Sequence, residues 1–364
     1  MSFLYDDGQM AIATESQRVL DARMAKDRLL TLLEQVGSYD EPFWRTAVEQ
    51  GWTALAIPEE HGGLGLGLIE LGLVAQAIGA HTAGAPFLTA GYGAARALLQ
   101  GSDEILKEEW LPKLASGEKI VTVALADASA PLPPASGVRF ENNRLLGIKS
   151  AVVAGLRADG ALVWAQHGQE PALVLADLSR VVRNPVNSFD NSRLYADLVF
   201  DGSPARLVAQ GDAARRIALE TLCAMAVVTA HEQLGGAEAL MMIARDYALT
   251  RRAFGQPIGA FQSIKHRIAE LYGLVELARA NCMHAAVSDG QENFLIAAAD
   301  ARISATEAYD IAARDCTQIH GGIGVTWEQG LHLHMRRARS LAIEQGNLLF
   351  WEDLLVEQMT GVAA

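Results

Sequence analysis

The chain has 364 residues, 50% hydrophobic and 20% charged: ample apolar side chain for burial and more length than one core usually holds. Two or three compact units are expected, and disorder is excluded. Forty-three acidic against 30 basic residues leave a formal charge of −13, which repels a phosphate backbone and an anionic bilayer, so neither nucleic acid nor a membrane is expected as a partner.

The amino terminus, MSFLYDDGQMAIATESQRVL, lacks the basic start and apolar stretch of a secretory signal, and no window of about 18 apolar residues occurs. A soluble, cytoplasmic protein is expected. From Asp6 to about Gly117 apolar positions recur at helical spacing, broken at Gly37, between Pro58 and Gly67, and near Gly101. This predicts an N-terminal helical domain over residues 1–118. Between Ile120 and Leu207 the pattern changes to short runs, IVTVALA, GALVWA, ALVLADL and ADLVF, separated by turn-forming residues. They predict a middle β domain over 119–211, in which the prolines of ASAPLPPASG at 128–137 forbid regular pairing.

Beyond Asp212 helical spacing returns, with Ile264, Ile268, Leu271, Val275, Ala278 and Cys282 on one face of a long helix. Residues 212–364 should close as a four-helix bundle, making the fold class α+β. Cys223, Cys282 and Cys316 lie far apart among helix formers, as buried thiols in a reducing compartment do, and offer no disulfide or zinc site. His332 and His334, two apart on a helix, face different ways, so no metal is expected. No GxGxxG follows a first strand, which disfavours a Rossmann nicotinamide enzyme.

Three longer stretches carry more information. RRAFGQPIGAFQSIKHRIAEL, Arg251 to Leu271, and DCTQIHGGIGVTWEQGLHLHMRRAR, Asp315 to Arg339, resemble the two strongest signatures of the acyl-CoA dehydrogenases. IPEEHGGLGLGLIELGLVAQAIG, Ile57 to Gly79, resembles that family's amino-terminal helical domain. Together with the helix, β, helix order the resemblance spans essentially the whole chain. It implies the acyl-CoA dehydrogenase fold, FAD as cofactor, an acyl-CoA as substrate and electron transfer flavoprotein as acceptor. In that family FAD lies at a dimer interface, its ring on one subunit's β domain and its pyrophosphate and adenine on the neighbour's helices. By resemblance Arg251 offers its donor fork to the pyrophosphate, and Phe254 and Gln262 flank the adenine side. Gln318, Gly321 and Gly322 would bring backbone N–H groups near the phosphates, a role compatible with glycine ending a helix. Arg336, Arg337 and Arg339 are expected to balance local carboxylates.

The same resemblance exposes departures. The family removes the proton next to the thioester with a carboxylate while hydride passes from the next carbon to the flavin. One branch carries that glutamate just before a glycine, and the position here is Gln345, before Gly346. Another carries it on the helix preceding Arg-x-x-Phe-Gly, and the position here is Met225. Neither an amide nor a thioether accepts a proton as a carboxylate does. Glu344, one residue away, is the remaining candidate base; Glu220 lies about a helical turn and a half from Met225. Ala126, Asp127 and Ala128 stand where many relatives have Thr-Glu-Pro, and Ala151 and Val153, after Lys149, where a Trp and a Thr cover the ring. The pyrophosphate half of an FAD site is kept and the ring half is lost. This resembles the family's heteromeric members that act on bulky acyl-CoAs such as steroid side-chain thioesters, in which two different subunits form an α2β2 tetramer with half the flavins. A homologous, base-bearing subunit is therefore the expected partner. The rival readings are a self-sufficient homo-oligomeric (homotetrameric) dehydrogenase with Glu344 as base, a flavin-dependent oxygenase on the same fold, and a scaffolding relative without flavin. The acyl group is not legible, because scattered apolar side chains would line its pocket.

Overall fold

The computed structural model describes residues 5–84 and 86–361; residues 1–4, the start of the segment read for a signal, and 362–364 lie outside the described residues. Helices come first: α1 (Asp7–Arg23), α2 (Lys26–Leu33), α3 (Glu41–Glu49), α4 (Leu68–Ala80), α5 (Phe87–Gln100) and α6 (Glu104–Ala115). Strands follow: β1 (Val121–Ala124), β2 (Arg139–Glu141), β3 (Arg144–Val152), β4 (Gly160–His167), β5 (Glu170–Asp177), β6 (Val182–Pro185) and β7 (Ala196–Gln210). Then come α7 (Gly211–Thr250), a hairpin of β8 (Arg252–Ala253) and β9 (Gln256–Pro257), α8 (Gln262–Val287), α9 (Phe294–His320), α10 (Leu331–Leu341) and α11 (Leu348–Thr360). The class is α+β in the expected order. Helix starts follow side-chain chemistry: Asp6, Asp40, Asp103 and Asn347 cap α1, α3, α6 and α11 by accepting a first-turn N–H.

The chain forms two compact units. One, residues 31–67 and 84–225, holds α3, α5, α6, the large sheet and the start of α7. Its strands run in the order β1-β4-β2-β3-β7-β5, and β5 pairs β4 along its whole length, so the ribbon returns on itself. Phe140, Leu145, Val163, Val174, Leu198 and Phe200 lie in its core. The four apolar runs became β1, β4, β5 and β7. β7 continues past Gly202-Ser203-Pro204 to Gln210, three residues beyond the expected end at Leu207, with irregular pairing against β5.

The other unit, residues 1–30, 68–83 and 226–364, holds α1, α4, the rest of α7 and everything after it. On α8 the expected stripe is buried at Leu271, Val275, Ala278 and Cys282, while Ile264 and Ile268 are half-buried. α4 and α7 touch through backbone. A Cβ added to Gly79 would sit 1.8 Å from the Glu232 carbonyl oxygen, and one added to Gly235 would sit 1.8 Å from that of Gln76. Beside this crossing Arg337 of α10 pairs with Glu232 at 2.6 Å, both buried, and donates to the Thr82 and Ala83 carbonyls at 3.1 and 3.2 Å. Arg339 pairs with Asp310, so both arginines balance carboxylates as expected. All three cysteines are free, buried and pushed up by burial to about 12, which leaves them protonated and unreactive. Among the described residues no group of side chains is arranged to hold a metal ion, and no helix is long and apolar enough to cross a membrane.

The crossing predicts the effect of one methyl group. Gly235→Ala must drive α7 from α4 against backbone, not a yielding side chain, and should destabilise the fold by about 1–3 kcal/mol or more. Urea unfolding would measure this, with the exposed Gly273→Ala on α8, where a Cβ meets nothing within 4 Å, as the control.

Candidate functional site

α7 ends by reversing direction. The Arg251 N–H still donates to the Tyr247 carbonyl at 2.8 Å, but the Arg251 carbonyl accepts from the Ile258 N–H at 2.8 Å, turning the chain through the β8–β9 hairpin. Its two-residue loop, Phe254 and Gly255, has φ of +50° and +84°, the positive pair of a type I′ turn. Arg252 closes the loop on the Gly255 carbonyl at 2.9 Å. Phe254 is thereby held outward at 95% exposure, edge-on to Phe261. Gln262, exposed, begins α8.

α9 arrives at the same place. Its last residue, His320, stacks on Tyr247 at 4.0 Å, one turn before Arg251. Gln318 is exposed. Gly321 takes φ +62° and ψ −139°, a backbone pose that glycine alone holds without strain, and closes α9 on the Thr317 and Gln318 carbonyls. A Cβ at Gly321 or Gly322 would meet nothing within 4 Å, so the space over them is open to a group from outside. Arg251 is exposed and, among the described residues, its guanidinium has no hydrogen-bond or ion-pair partner. Arg245, Arg267, Arg314 and Arg339 of the same unit all hold carboxylates. The structure thus gathers Arg251, Phe254, Gln262, Gln318, Gly321 and Gly322 at one end of this unit.

The corner after α10 has a different character. Gln345 has φ +57° and is followed by Gly346 at φ +111°. The buried Thr229 hydroxyl of α7 donates to Gln345 Oε1 at 2.9 Å. Arg302 of α9, buried, donates to the carbonyls of Leu341 and Glu344, the latter at 2.7 Å, and is itself fixed by Gln233 and Thr306. Glu344 is 4% exposed. Burial pushes the Arg302 guanidinium down to about 10 against the attraction of the Glu344 charge. Met225 is a core residue of the sheet-bearing unit, its sulfur against Gly93 of α5, and Glu220 accepts from Gln100 at 2.9 Å.

In that unit Lys149 Nζ, fully buried, donates to Asp127 at 2.7 Å and lies 3.2 Å from the Leu125 and Ala126 carbonyls and from the Ser136 hydroxyl. Trp164 Nε1 donates to the Pro133 carbonyl at 3.0 Å. The proline-rich segment is therefore pinned from beneath, with Ala126 and Ala128 exposed. Ala151 is exposed at φ +48°, its N–H on Asp197. Sequence reasoning missed Thr229, Arg302 and the Tyr247–His320 stack. An arginine amid the alanines of α9 was the available signal for Arg302.

Residues 6–118 match the family model for the acyl-CoA dehydrogenase N-terminal domain, and residues 215–349 that for the acyl-CoA dehydrogenase C-terminal domain. The chain is 34% identical over 322 residues to acyl-CoA dehydrogenase IpdE2 of Mycobacterium tuberculosis, covering 88% of this chain and 85% of that protein. Among solved structures, the ChsE4-ChsE5 complex from Mycobacterium tuberculosis aligns with a TM-score of 0.90 at 25% identity over 100% of both chains. The Tcur3481-Tcur3483 steroid ACAD G363A variant aligns with a TM-score of 0.87 at 25% identity over 98% of each.

Lys149 yields a pH prediction. Burial, the larger influence, pushes its ammonium from the usual 10.5 down to about 8 against the attraction of Asp127. Across that window the unfolded chain holds a proton that the folded chain has shed, so this residue's contribution to stability rises with pH. The stability of the wild type relative to Lys149→Met should increase by roughly 2 kcal/mol between about pH 8 and pH 10 in urea unfolding. A flat difference would mean that Lys149 titrates as an exposed lysine does.

Proposed function

Because the chain belongs to the acyl-CoA dehydrogenase family of FAD-dependent oxidoreductases, we propose that it is the base-free subunit of a heteromeric member. It contributes Arg251, Phe254, Gln262, Gln318, Gly321 and Gly322 to the pyrophosphate and adenine half of a shared FAD. A homologous subunit supplies the ring half and the proton acceptor. The observation that carries this reading is the amide of Gln345, locked on Thr229 at 2.9 Å, at the position where the family resemblance calls for a carboxylate. Met225, at the alternative position, is core. The likeness to a complex of two named chains, ChsE4 and ChsE5, supports it. An α2β2 stoichiometry, electron transfer flavoprotein as acceptor, a bulky acyl group and domain limits at 118/119 and 211/212 belong to the same proposal.

The six residues fit an FAD. An unpaired guanidinium suits a pyrophosphate, for which arginine's planar fork is matched, and the open space over Gly321 and Gly322 admits phosphate oxygens to backbone N–H groups. Phe254 offers an exposed aromatic face to the adenine side. FAD, when bound, accepts the hydride lost by the acyl chain. This chain's residues hold the dinucleotide and take no proton. The rival reading makes Glu344 the base of a self-sufficient enzyme, but Glu344 is buried and its backbone carbonyl is held by Arg302.

Three experiments test this. Purified alone, the chain should release FAD on dialysis, and in the complete assembly Arg251→Ala should weaken FAD roughly ten- to a hundredfold, the scale of a charged hydrogen bond of about 1.5–3 kcal/mol. Stoichiometric, tightly held FAD in a homo-oligomer would contradict the loss of the ring half, and unchanged affinity in the variant would make Arg251 a surface arginine. Glu344→Gln should leave turnover of the assembly nearly unchanged over a panel of acyl-CoAs from short chains to steroid side chains. A fall of about a hundredfold or more, the scale of a general base, would favour the self-sufficient enzyme.

A further inference from the structure

A cleft in the sheet-bearing unit uses none of the residues assigned above. Its volume is about 220 Å³, the room of about seven waters at roughly 30 Å³ each, which holds a single-ring molecule and excludes a dinucleotide or coenzyme A. α6 supplies one wall with Glu109, Trp110 and Lys113. Lys119, Asp159 and Asp177, from the approaches to β1 and β4 and the end of β5, form the other with Arg183 of β6. β4 begins at Gly160, where a Cβ would lie 3.1 Å from Cη2 and Cζ3 of the Trp110 indole, so the glycine lets the six-membered ring settle on the strand. Nε1–H is on the opposite edge of the ring system, and Trp110 is half-buried, not sealed.

The cleft sets Lys113, Lys119 and Arg183 among Glu109, Asp159 and Asp177, but the six charges are committed differently. Glu109 accepts from Arg206 at 3.1 Å. Asp159 accepts from the Ile120 N–H at 2.9 Å and from Lys119 at 3.4 Å, which spends one of the three donors of that ammonium. Asp177 accepts from the Ser179 N–H at 2.7 Å, and Ser179 holds its carboxyl below the usual range. Arg183 donates to the Leu156 and Leu178 carbonyls at 3.1 and 2.9 Å, so its fork is turned to main chain. Among the described residues neither the Lys113 ammonium nor the Trp110 N–H has a hydrogen-bond or ion-pair partner. The carboxylates are thus engaged by the protein's own donors, and the capacity left open is donor capacity, which suits an anion. The fixed carboxylates repel a dianion about twice as strongly as a monoanion, and with Arg183 engaged no planar fork is offered to a phosphate. Both effects favour a carboxylate over a phosphate monoester. The indole favours a flat apolar body, because offset or edge-on ring pairs add to the gain from burial.

We propose that this cleft binds a small aromatic carboxylate, its charge on Lys113 and Lys119 and its ring against Trp110. The site has no residue in common with those proposed for FAD, so it stands apart from the reading of the chain as a base-free subunit.

Equilibrium dialysis of the full-length chain against ring-labelled benzoate tests this. The wild type should take up one benzoate saturably, with benzamide, which lacks the charge, and acetate, which lacks the ring, each competing about tenfold less well or worse. Phenyl phosphate, as the dianion, should also compete less well than benzoate. Lys113→Met should weaken benzoate by about three- to tenfold, the lower part of the range for a charged hydrogen bond because the ammonium is only half-buried, and Lys113→Arg should restore most of the affinity. Trp110→Leu should weaken benzoate similarly and Trp110→Phe less, with urea midpoints showing that each variant is folded. Saturating FAD or octanoyl-CoA should leave benzoate binding unchanged. Uptake that does not saturate, unchanged affinity in folded Lys113→Met, or displacement by octanoyl-CoA would overturn the proposal. So would acetate or phenyl phosphate competing as well as benzoate, since the site would then select neither a ring nor a single charge.

Discussion

Two backbones in direct contact govern the helical unit. Where α4 crosses α7, Gly79 lies against the Glu232 carbonyl and Gly235 against that of Gln76, each at a distance no Cβ tolerates. Around that contact side chains lock the register: Gln76 donates to Glu238 at 2.8 Å, and Glu232 holds Arg337 of α10 at 2.6 Å with both groups buried. A buried pair of this kind is weak evidence for stability, because desolvation offsets most of the attraction, but removing one partner strands the other. Its effect is geometric. It ties α10 to the crossing, and the corner that follows α10 inherits its position from there.

The two sets of candidate residues differ in how their charge is treated. Near the end of α7, in a chain with 13 excess negative charges, Arg251 has no carboxylate partner among the described residues and Phe254 stands almost wholly in solvent. At the corner after α10 the polar groups turn inward: Thr229 donates to Gln345 Oε1, and Arg302 donates to the Leu341 and Glu344 carbonyls. The first arrangement suits an anionic, aromatic ligand.

How much was legible follows from distance along the chain. The strands buried on both faces, β4 and β5, wrote continuous apolar runs, whereas β2 and β3 are interrupted by exposed Arg139, Glu141 and Arg144 and left no run to read. The residues gathered near Arg251 sit in two contiguous segments, each a helix end with its turn, and such segments can be recognised whole. The supports of Gln345 cannot. Thr229 is 116 positions away, and Arg302 is 42 from Glu344; folding alone makes them neighbours. Lys149 was noticed for the residues after it, not for its own burial, because nothing local distinguishes a lysine that will lie under a loop from one that will face water.

The pose of Gln345 also bears on what a single base change could do. Both glutamine codons differ from a glutamate codon at the first base alone, and the clamp of Arg302 on the Leu341 and Glu344 carbonyls acts on main chain, indifferent to the side chain at 345. A carboxylate would find its backbone already bent to receive it and the Thr229 hydroxyl already placed to donate to it. A change of one nucleotide at codon 345 would thus put a carboxylate at this corner with its main chain unmoved.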